Sequence, residues 1–305
     1  MKPLLSICCT TYNHVKFVKQ TLDGFLLQET NFPIEIIIHD DASTDGTQDL
    51  LKVYAEKDSR VKLILQQENQ YSQNIKPWAH FCFPKAQGKY IALCEGDDYW
   101  VDPLKLQKQV DFLEANPEYT VSWTNFEILK REGLSKNDFT YTTDIVTIDF
   151  NNLFTPYSTY TLTAVFKKQA LNIELYKTLK HSKDNSLYVM LLQKGKGVFM
   201  NFISAVYRIH EGGAYSLQSD FFKHYSSYLN LQEVTTIVAE SRTKNINKIL
   251  KSLANGAAFS SLKSKHSGEK MDQVQVRFMT NHFNQASFKT KFKYYKRLFK
   301  YKFLK

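Results

Sequence analysis

The sequence predicts an α/β protein with a doubly wound, mainly parallel central sheet and a helical C-terminal region. Three observations predict this fold class. Short apolar runs rich in β-branched residues alternate with helical patterns over roughly the first hundred residues, polar clusters follow three of those runs, and apolar spacing becomes helical after about residue 216. Strands that alternate with helices typically form parallel sheets, and 305 residues with 43% hydrophobic content can bury a sizeable core.

The N-terminal elements follow in order along the chain. Strands are predicted over residues 4–11, 34–38, 61–65 and 89–94, each an apolar run. Helical spacing lies between them, through Phe17 and Leu26, through Leu50 and Tyr54, and around residues 78–85. The segment Ser43-Thr44-Asp45-Gly46 is a turn and helix-start signal before the second of these helices.

A polar cluster lies at the C-terminal end of three predicted strands. These clusters are Thr11-Tyr12-Asn13, Asp40-Asp41 and Glu95-Gly96-Asp97-Asp98. In doubly wound sheets ligands bind beyond the carboxyl ends of the strands, so we expect these clusters at one edge. The third cluster places three carboxylates within four residues, where they repel one another unless a cation lies among them. Mg²⁺ and Mn²⁺ prefer carboxylates, water and phosphates, so a divalent ion and a phosphorylated substrate are predicted. A solvated acidic turn that caps the next helix is the alternative.

The charge predicts a polyanionic partner. The chain carries a net charge of +10 with 14% aromatic residues, which suits nucleic acid, a nucleotide or an anionic membrane surface. The basic residues concentrate at the far end, and no helix-turn-helix, zinc-finger or RNA-recognition signature is present, so no specific nucleic acid is expected. The sequence also lacks G-x-G-x-x-G and G-x-x-x-x-G-K-[ST], which argues against a dehydrogenase and a P-loop nucleotidase.

Cysteine usage and apolar run lengths favour a cytoplasmic protein. Cys8, Cys9, Cys82 and Cys94 show no C-x-x-C spacing and are expected to be buried free thiols in a reducing compartment. The N-terminal apolar run is too short for a signal peptide, and no run approaches the roughly 20 residues that span a bilayer.

Three segments resemble the family 2 glycosyltransferases, whose nucleotide-sugar-binding domain has the GT-A fold. They are LSICCTTYN at residues 5–13, IIHDDASTDGT at 37–47 and GKYIALCEGDDYW at 88–100. The resemblance covers residues 1 to about 120 strongly and continues weakly to about 215. It implies a GT-A domain over residues 1–215 that transfers a sugar from a nucleotide diphosphate to a glycan hydroxyl with inversion, and leaves residues 216–305 as a helical appendage.

The family resemblance implies a nucleotide site at the first two clusters. In the family, the first strand-end loop and the aspartate after the second strand hold the base and the ribose, which assigns Thr11, Tyr12, Asn13 and Asp41 here, with Asp40 as the less certain candidate. A carboxylate only accepts hydrogen bonds and therefore suits the N3–H of uracil or thymine, which favours UDP- or dTDP-sugars. Alternatively, Asp40 and Asp41 form a turn that caps the following helix.

The acidic cluster resembles the D-x-D element of the family, which binds the ribose and a Mn²⁺ or Mg²⁺ ion that bridges the diphosphate. Asp97 and Asp98 are the first expected ligands, with Asp97 also on the nucleotide. Glu95 stands where the family often has aspartate and is a further candidate ligand, although its longer side chain leaves direct coordination open. The later segment YRIHEGG resembles another family element, so His210 is expected to reach the metal or diphosphate and Arg208 the phosphate oxygens. A surface hairpin with glycine turns is the alternative for this segment.

Asp184 is the expected catalytic base. It precedes a helical pattern where the family supplies an acid that takes the proton of the acceptor hydroxyl. Lys183 stands where the first acid of the usual pair would be, so a plain helix cap and a catalytically inactive nucleotide-sugar-binding or scaffold protein remain alternatives. Trp100 is expected to line the sugar pocket and Trp123 the core, and the polar segment 130–149 is expected to be a loop.

The C-terminal tail, residues 288–305, interleaves lysines with aromatic residues. On a helix Phe292, Tyr295, Phe299 and Phe303 form one stripe flanked by basic residues. This pattern suits an interfacial helix on an anionic membrane and fits a transferase whose glycan acceptor is linked to a lipid. A solvated basic tail and a helix that packs its stripe on the domain are the alternatives.

Overall fold

The computed structural model describes residues 2–139, 141–213 and 218–303, without the side chains of residues 289, 297, 298 and 300–303. The chain divides into two compact units, Met1–His210 and Glu211–Lys305. The predicted boundary between residues 215 and 216 falls within residues 214–217, and the predicted tail ends at residues 304–305; both segments lie outside the described residues.

The N-terminal unit is a mixed α/β structure. Its strands are β1 Leu5–Thr11, β2 Ile34–Asp40, β3 Val61–Leu65, β4 Tyr90–Glu95, β5 Tyr99–Trp100, β6 Tyr119–Lys130, β7 Gly133–Lys136, β8 Ile145–Ile148, β9 Val165–Lys167 and β10 Lys196–Arg208. Its helices are α1 Val18–Leu26, α2 Thr47–Lys57, α3 Phe83–Lys85, α4 Lys105–Ala115, α5 Ile173–Thr178 and α6 Asp184–Leu192. A π-helical turn, Trp78–Cys82, precedes α3 and together with it occupies the position of the predicted helix around 78–85.

The strands form one sheet with the order β3-β2-β1-β4-β9-β6-β10-β5, to which β7 and β8 add at the sides of β6 and β10. The first four strands pair in parallel, as predicted, and so do β6 and β10. Beyond β4 the short strand β9 runs antiparallel to both of its neighbours. The expected parallel arrangement therefore holds for the half of the sheet that carries the motifs, and the other half is mixed.

The central strands are apolar because both of their faces are covered. Every residue of β2 and nearly all of β1 and β4 are buried, which is typical of parallel strands between layers of helices. One face packs against Leu22 and Phe25 of α1 and against Leu106 and Val110 of α4. The four cysteines are buried free thiols, as predicted.

The structure also shows the surroundings of Trp123 and of the polar segment 130–149. Trp123 is fully buried, as predicted for a core residue. Two stretches of the segment 130–149, which was predicted to be a loop, are instead strands β7 and β8 of the sheet. Its polar composition gave no period-two signal, since β7 is exposed along its whole length.

The C-terminal unit is helical, as predicted. It contains α7 Asp220–Val234, α8 Lys244–Ser267, α9 Gln273–Gln285 and α10 Phe288–Phe303. Ala258, Leu262, Met279 and Tyr294 form its buried cluster. Of the helices in the described parts of the chain, none combines the length and the apolar character needed to cross a bilayer.

Candidate functional site

The three predicted polar clusters meet at one edge of the sheet. In the parallel register, Thr11 of β1 lies opposite Asp40 of β2, and Thr10 lies opposite Glu95 of β4. Gly96 permits this approach, because a Cβ atom there would lie 2.3 Å from the Cγ2 atom of Thr11. Any larger residue would have to displace the side chain of Thr11. The strand ends thus bring together side chains that are far apart in the sequence.

Asp40 holds the loop that follows β2. Its buried carboxylate accepts hydrogen bonds from the hydroxyl of Thr11 at 2.7 Å, from the backbone N–H of Ser43 at 2.9 Å and from the side-chain amide of Gln48 at 2.8 Å. The hydroxyl of Ser43 also donates to this carboxylate. An ionised carboxylate offers about four acceptor positions, so the loop fills those of Asp40. For Asp40, the alternative prediction of a turn-forming residue before α2 therefore fits the structure well.

Asp41 is the second carboxylate at this point, and it is less fully engaged. It accepts the backbone N–H groups of Gln70 at 2.7 Å and Tyr71 at 3.0 Å. These two bonds leave acceptor capacity on a carboxylate with about four positions. Asp41 is only 4% exposed, but its unfilled acceptor positions make it better suited than the fully bonded Asp40 to accept a hydrogen bond from a base.

Asn13 joins the loops that follow β1 and β2. It adopts a left-handed conformation, with φ of 57°, which asparagine tolerates better than most residues. Its side-chain oxygen accepts the N–H of Thr44 at 2.9 Å, and its own N–H donates to the Ser43 hydroxyl at 2.8 Å. The neighbouring Tyr12 is 47% exposed, so its ring presents a surface at the sheet edge.

The acidic cluster separates into carboxylates with different surroundings. Asp98 is expected from the sequence to bind the metal, but it is only 3% exposed and its Oδ1 accepts the backbone N–H of Arg208 at 2.7 Å. Burial, together with the charges of Asp97 and Glu95, raises the pKa of Asp98 well above its usual range. Asp98 is therefore turned towards β10, and we assign it the task of fixing this loop. Asp97 is the more accessible aspartate of the pair.

Two histidines flank the carboxylate of Asp97. The Nε2 atom of His210 lies 3.2 Å from Oδ2 of Asp97, and the Nε2 atom of His14 lies 3.7 Å from the same oxygen. The ring of His210 packs on Phe17, with 4.4 Å between ring centroids. His210 was expected here, whereas His14 was not, although it directly follows the Thr11-Tyr12-Asn13 cluster. Its position in that loop was the only available signal.

The residues around Asp97 fit a divalent ion in chemical terms. Carboxylate oxygen suits Mg²⁺ and Mn²⁺, and neutral imidazole suits first-row transition ions. Burial lowers the pKa of His14, which favours the neutral ring that a metal requires. Within the ranges that the structure describes, no three His, Cys, Asp or Glu side chains form a ready-made metal cage. Diphosphate oxygens and water would have to complete the coordination.

The guanidinium of Arg208 is occupied by contacts within the protein. Its guanidinium donates to the carbonyl of Asp97 and to the side chain of Gln20. The guanidinium also lies 4.4 Å from the ring centroid of Tyr99 and 5.3 Å from that of Phe17. These contacts hold the acidic loop against α1. They give Arg208 a positioning role, in place of the expected exposed fork that pairs with phosphate.

Asp184 begins α6 and faces the acidic cluster. Its Oδ2 accepts a hydrogen bond from the hydroxyl of Tyr157 at 3.1 Å, and its Oδ1 accepts the N–H of Asn185 at 2.8 Å. Burial raises the pKa of Asp184. Burial also raises the pKa of Glu95 to about 8, with contributions from the charges of Asp97 and Asp184. Asp184 is also connected to β4 through the chain, because the hydroxyl of Thr161 lies 3.5 Å from its Oδ2 and the nearby carbonyl of Ala164 accepts the N–H of Leu93 in β4 at 3.1 Å.

Trp100 is a core residue and does not line a sugar pocket as expected. It is 2% exposed, its ring packs on Phe25 with 4.7 Å between ring centroids, and its Nε1 donates to the carbonyl of Leu162 at 2.7 Å. The indole therefore ties β5 to the 3₁₀ turn Thr161–Thr163. Thr161 in turn lies 3.5 Å from Asp184 through its hydroxyl. Trp100 thus supports the segment that contacts the expected base.

A buried lysine reinforces the same turn. Lys105 is fully buried, its Nζ lies 4.5 Å from the ring centroid of Trp100, and it donates to Oε1 of Gln109 at 2.7 Å. Gln109 donates to the carbonyl of Thr163 at 2.9 Å, and Lys105 lies 3.4 Å from that carbonyl. Burial lowers the pKa of Lys105 to about 7. Sequence reasoning missed this network, because a lysine and a glutamine four residues apart resemble an exposed helix face.

Comparisons with known proteins bear on the expected family and fold. A family model described as glycosyl transferase family 2 matches residues 6–175. The chain is 42% identical over 138 residues to uncharacterized protein Rv1520 of Mycobacterium tuberculosis, a match that covers 44% of this chain but only 38% of that relative. It is 28% identical over 209 residues to the putative teichuronic acid biosynthesis glycosyltransferase TuaG of Bacillus subtilis, covering 68% of this chain and 80% of TuaG.

A third relative is the UDP-Glc:alpha-D-GlcNAc-diphosphoundecaprenol beta-1,3-glucosyltransferase WfaP of Escherichia coli, 28% identical over 243 residues, or 78% of this chain and 89% of WfaP. Among solved structures, S. aureus TarS 1–349 in complex with UDP-GlcNAc superposes with a TM-score of 0.64 at 18% identity, over 92% of this chain and 79% of that one. The mannosyltransferase PcManGT from Pyrobaculum calidifontis, in complex with GDP-Man and Mn²⁺, gives 0.59 at 14% identity, over 95% and 83%. These likenesses confirm the expected GT-A fold class.

Proposed function

The chain belongs to glycosyl transferase family 2, and from this membership we propose that it transfers a sugar from a UDP-sugar to a glycan hydroxyl during bacterial polysaccharide synthesis. One observation carries the proposal. Asp41 and the Asp97 carboxylate with its two histidines follow the carboxyl ends of β2 and β4, and Asp184 contacts Thr161 in the turn that leads to the hydrogen bond between Ala164 and β4. A base site, a diphosphate site and a proton acceptor are the three parts that such a transfer needs.

The donor is proposed to be a UDP-sugar, with dTDP-sugars as the second choice. The spare acceptor capacity of Asp41 suits the N3–H of uracil or thymine. Tyr12 offers an exposed ring beside it for the base. The UDP-GlcNAc in the TarS complex and the UDP-Glc in the name of WfaP support the same choice.

A Mn²⁺ or Mg²⁺ ion would be held by Asp97 with His210, and His14 lies beside them. When bound, such an ion stabilises the negative charge that develops on the departing diphosphate. The Mn²⁺ of the PcManGT complex supports this proposal. Arg208 and Asp98 would keep the loop that carries Asp97 in place.

Asp184 is proposed to be the general base of an inverting displacement. The acceptor oxygen forms a bond to the anomeric carbon as the bond from that carbon to the diphosphate breaks, and the hydroxyl proton passes to the Asp184 carboxylate. A raised pKa brings a carboxylate closer to the value at which a base works well near neutral pH. Tyr157 and Thr161 orient this carboxylate through Oδ2.

The acceptor is proposed to be a lipid-linked glycan. The diphosphoundecaprenol in the name of WfaP supports this class of acceptor. A transferase that uses such an acceptor has to work at a membrane surface. We therefore propose a cytoplasmic protein that associates peripherally with the inner face of the cytoplasmic membrane.

The first test is the melting temperature of the full chain with UDP, dTDP, GDP and CMP, each with and without Mn²⁺. A ligand at about 100 times its dissociation constant stabilises the native state by roughly 2.7 kcal/mol. We expect a Mn²⁺-dependent increase with UDP or dTDP alone. An equal increase with all four nucleotides would contradict the base assignment to Asp41, and no increase with any of them would contradict the donor site.

A further inference from the structure

The last helix presents an aromatic face to solvent. Phe288, Phe292 and Tyr295 of α10 are 85%, 61% and 57% exposed, and their spacings of four and three residues place them on one side of the helix. We call these three residues the aromatic stripe. Phe299 continues the same spacing and is 64% exposed. Contiguous exposed apolar surface of this kind is uncommon on soluble proteins and typically marks an interaction surface.

A different side of α10 anchors it in the C-terminal unit. Tyr294 is 3% exposed, and its hydroxyl donates to the side-chain oxygen of Asn255 in α8 at 2.7 Å. The Nε2 atom of His282 in α9 lies 3.1 Å from the same hydroxyl, and the Tyr294 ring packs on Phe283 with 5.0 Å between ring centroids. At 3.6 residues per turn, Tyr294 points about 120° away from the aromatic stripe. The anchor therefore leaves the stripe exposed.

The charge of α10 is entirely positive. Residues 288–303 contain seven basic residues and no acidic ones: Lys289, Lys291, Lys293, Lys296, Arg297, Lys300 and Lys302. Helical positions place Lys291 on one side of the stripe and Lys296 on the other. Lys293 and Lys296 are exposed. A linear apolar face bordered on both sides by positive charge is typical of helices that lie in the interface of a membrane.

We propose that α10 is a membrane-docking helix whose aromatic stripe enters the headgroup region of an anionic bilayer while its basic residues contact lipid phosphates. The proposal rests on the proposed function in one respect, because a lipid-linked acceptor lies at such a surface. Charge complementarity selects this occupant. A second copy of this chain is disfavoured as the partner, because two copies of the same face would bring like charges together. An anionic bilayer is favoured, because each basic residue near its surface contributes about 1 kcal/mol to binding.

The test is co-sedimentation of the full chain with vesicles of phosphatidylcholine containing about one third phosphatidylglycerol, a composition that approximates the negative surface potential relevant here. Phosphatidylcholine vesicles without the anionic lipid are compared in parallel. The stripe variant carries Phe288→Ser, Phe292→Ser and Tyr295→Ser. We expect its partitioning onto anionic vesicles to fall at least tenfold, since burial of even one aromatic side chain can account for that factor.

The matched control carries Phe222→Ser, Val274→Ser and Val276→Ser, at positions of the same unit that are 45%, 50% and 41% exposed. It should bind anionic vesicles like the unaltered chain. Because all of these side chains are exposed, both variants should keep the melting temperature. Equal vesicle binding by the stripe variant and the unaltered chain would overturn the proposal.

Charge is tested separately with Lys293→Gln and Lys296→Gln, against Lys244→Gln and Lys248→Gln, which change exposed lysines of α8. Only the first pair should weaken vesicle binding, by about tenfold or more, at roughly 1 kcal/mol per charge. Two other outcomes would also overturn the proposal: a dimer that the stripe variant abolishes, or poly(U) binding that needs the stripe while vesicle binding does not.

The melting shift with UDP and Mn²⁺ is measured on the same variants and should be unchanged. If the stripe variant loses vesicle binding but keeps the melting shift with UDP, the membrane-binding surface of the protein lies on α10 and the transferase proposal is unaffected. Vesicle binding without any UDP shift in the unaltered chain would refute the donor site and leave the docking helix standing. The two failures are therefore distinguishable.

Discussion

Replacing Trp100 with Phe is expected to destabilise the N-terminal unit while leaving donor affinity unchanged. The substitution keeps an aromatic ring beside Phe25 but removes the Nε1–H donor to the carbonyl of Leu162. Leu162 is 1% exposed, so water cannot readily replace this donor. An unsatisfied buried carbonyl costs about 1–3 kcal/mol.

The smaller ring adds to this loss. Its lost contacts cost about 1 kcal/mol in a packed core, which gives about 2–4 kcal/mol in total. For a unit of this size, 1 kcal/mol corresponds to roughly 2–4 °C in melting temperature, so we expect a decrease of roughly 5–15 °C. The turn Thr161–Thr163 would also be held less firmly beside Asp184. A moderate decrease in kcat should therefore accompany the loss of stability.

Calorimetric unfolding, titration with UDP and Mn²⁺, and kinetics of transfer measure the three quantities. Trp78→Phe is the matched control, because the Nε1 of Trp78 makes no hydrogen bond to any part of the chain that the structure describes. It should lose less stability than Trp100→Phe. If the Trp100 variant kept its melting temperature and instead bound donor or acceptor several-fold more weakly, the reasoning would be refuted and the indole would belong to the pocket.

Three further predictions concern the site and its supports. Asp184→Asn should reduce transfer by at least about 100-fold, because a positioned base contributes that much, while UDP binding measured by titration stays intact; a fully active variant would remove Asp184 as the base. Asp97→Asn should weaken Mn²⁺-dependent UDP binding strongly, whereas Asp98→Ala, which removes the acceptor for the N–H of Arg208, should chiefly lower the melting temperature; the reverse pattern would return the metal to Asp98. Lys105 has a folded-state pKa of about 7, below its unfolded value, so the unfolded chain binds more protons above that pH and stability should rise with pH between about 7 and 10. Lys105→Met should remove that slope in melting experiments across this range, and an unchanged slope would contradict the buried, neutral lysine.

Sequence patterns located the motif-bearing half of the sheet well. Strands buried on both faces require continuous apolar runs, and β1, β2 and β4 are such runs. Because parallel strands share one carboxyl edge, the proximity of their polar clusters could also be predicted. The placement of β9 between β4 and β6 could not, because a three-residue strand leaves too short a pattern to indicate its partner or direction.

The roles within the site were less accessible to prediction. His14 reaches Asp97 only through the conformation of the loop after β1, which no periodicity describes. The role of Trp100 was misjudged and Lys105 was missed, because indole and lysine side chains occur both in pockets and in cores, and only their burial in the structure distinguishes these two cases. The family resemblance predicted where each motif lies in the fold. The direction of each side chain, which decides what that residue contacts, had to come from the structure.

Accessibility differs among the charged residues of the acidic cluster and its neighbours. Asp98 has its carboxylate enclosed and bonded to the backbone of β10, and Arg208 has its guanidinium committed to the loop that carries Asp97. Asp97 and Asp184 retain partial exposure at the same edge. Asp97 and Asp98 are adjacent in the sequence and chemically identical, so their different surroundings follow from the turn between β4 and β5, which encloses the carboxylate of Asp98 and leaves that of Asp97 partly exposed. A substitution in this cluster is therefore expected to affect stability when the side chain is enclosed and ligand binding when it is not.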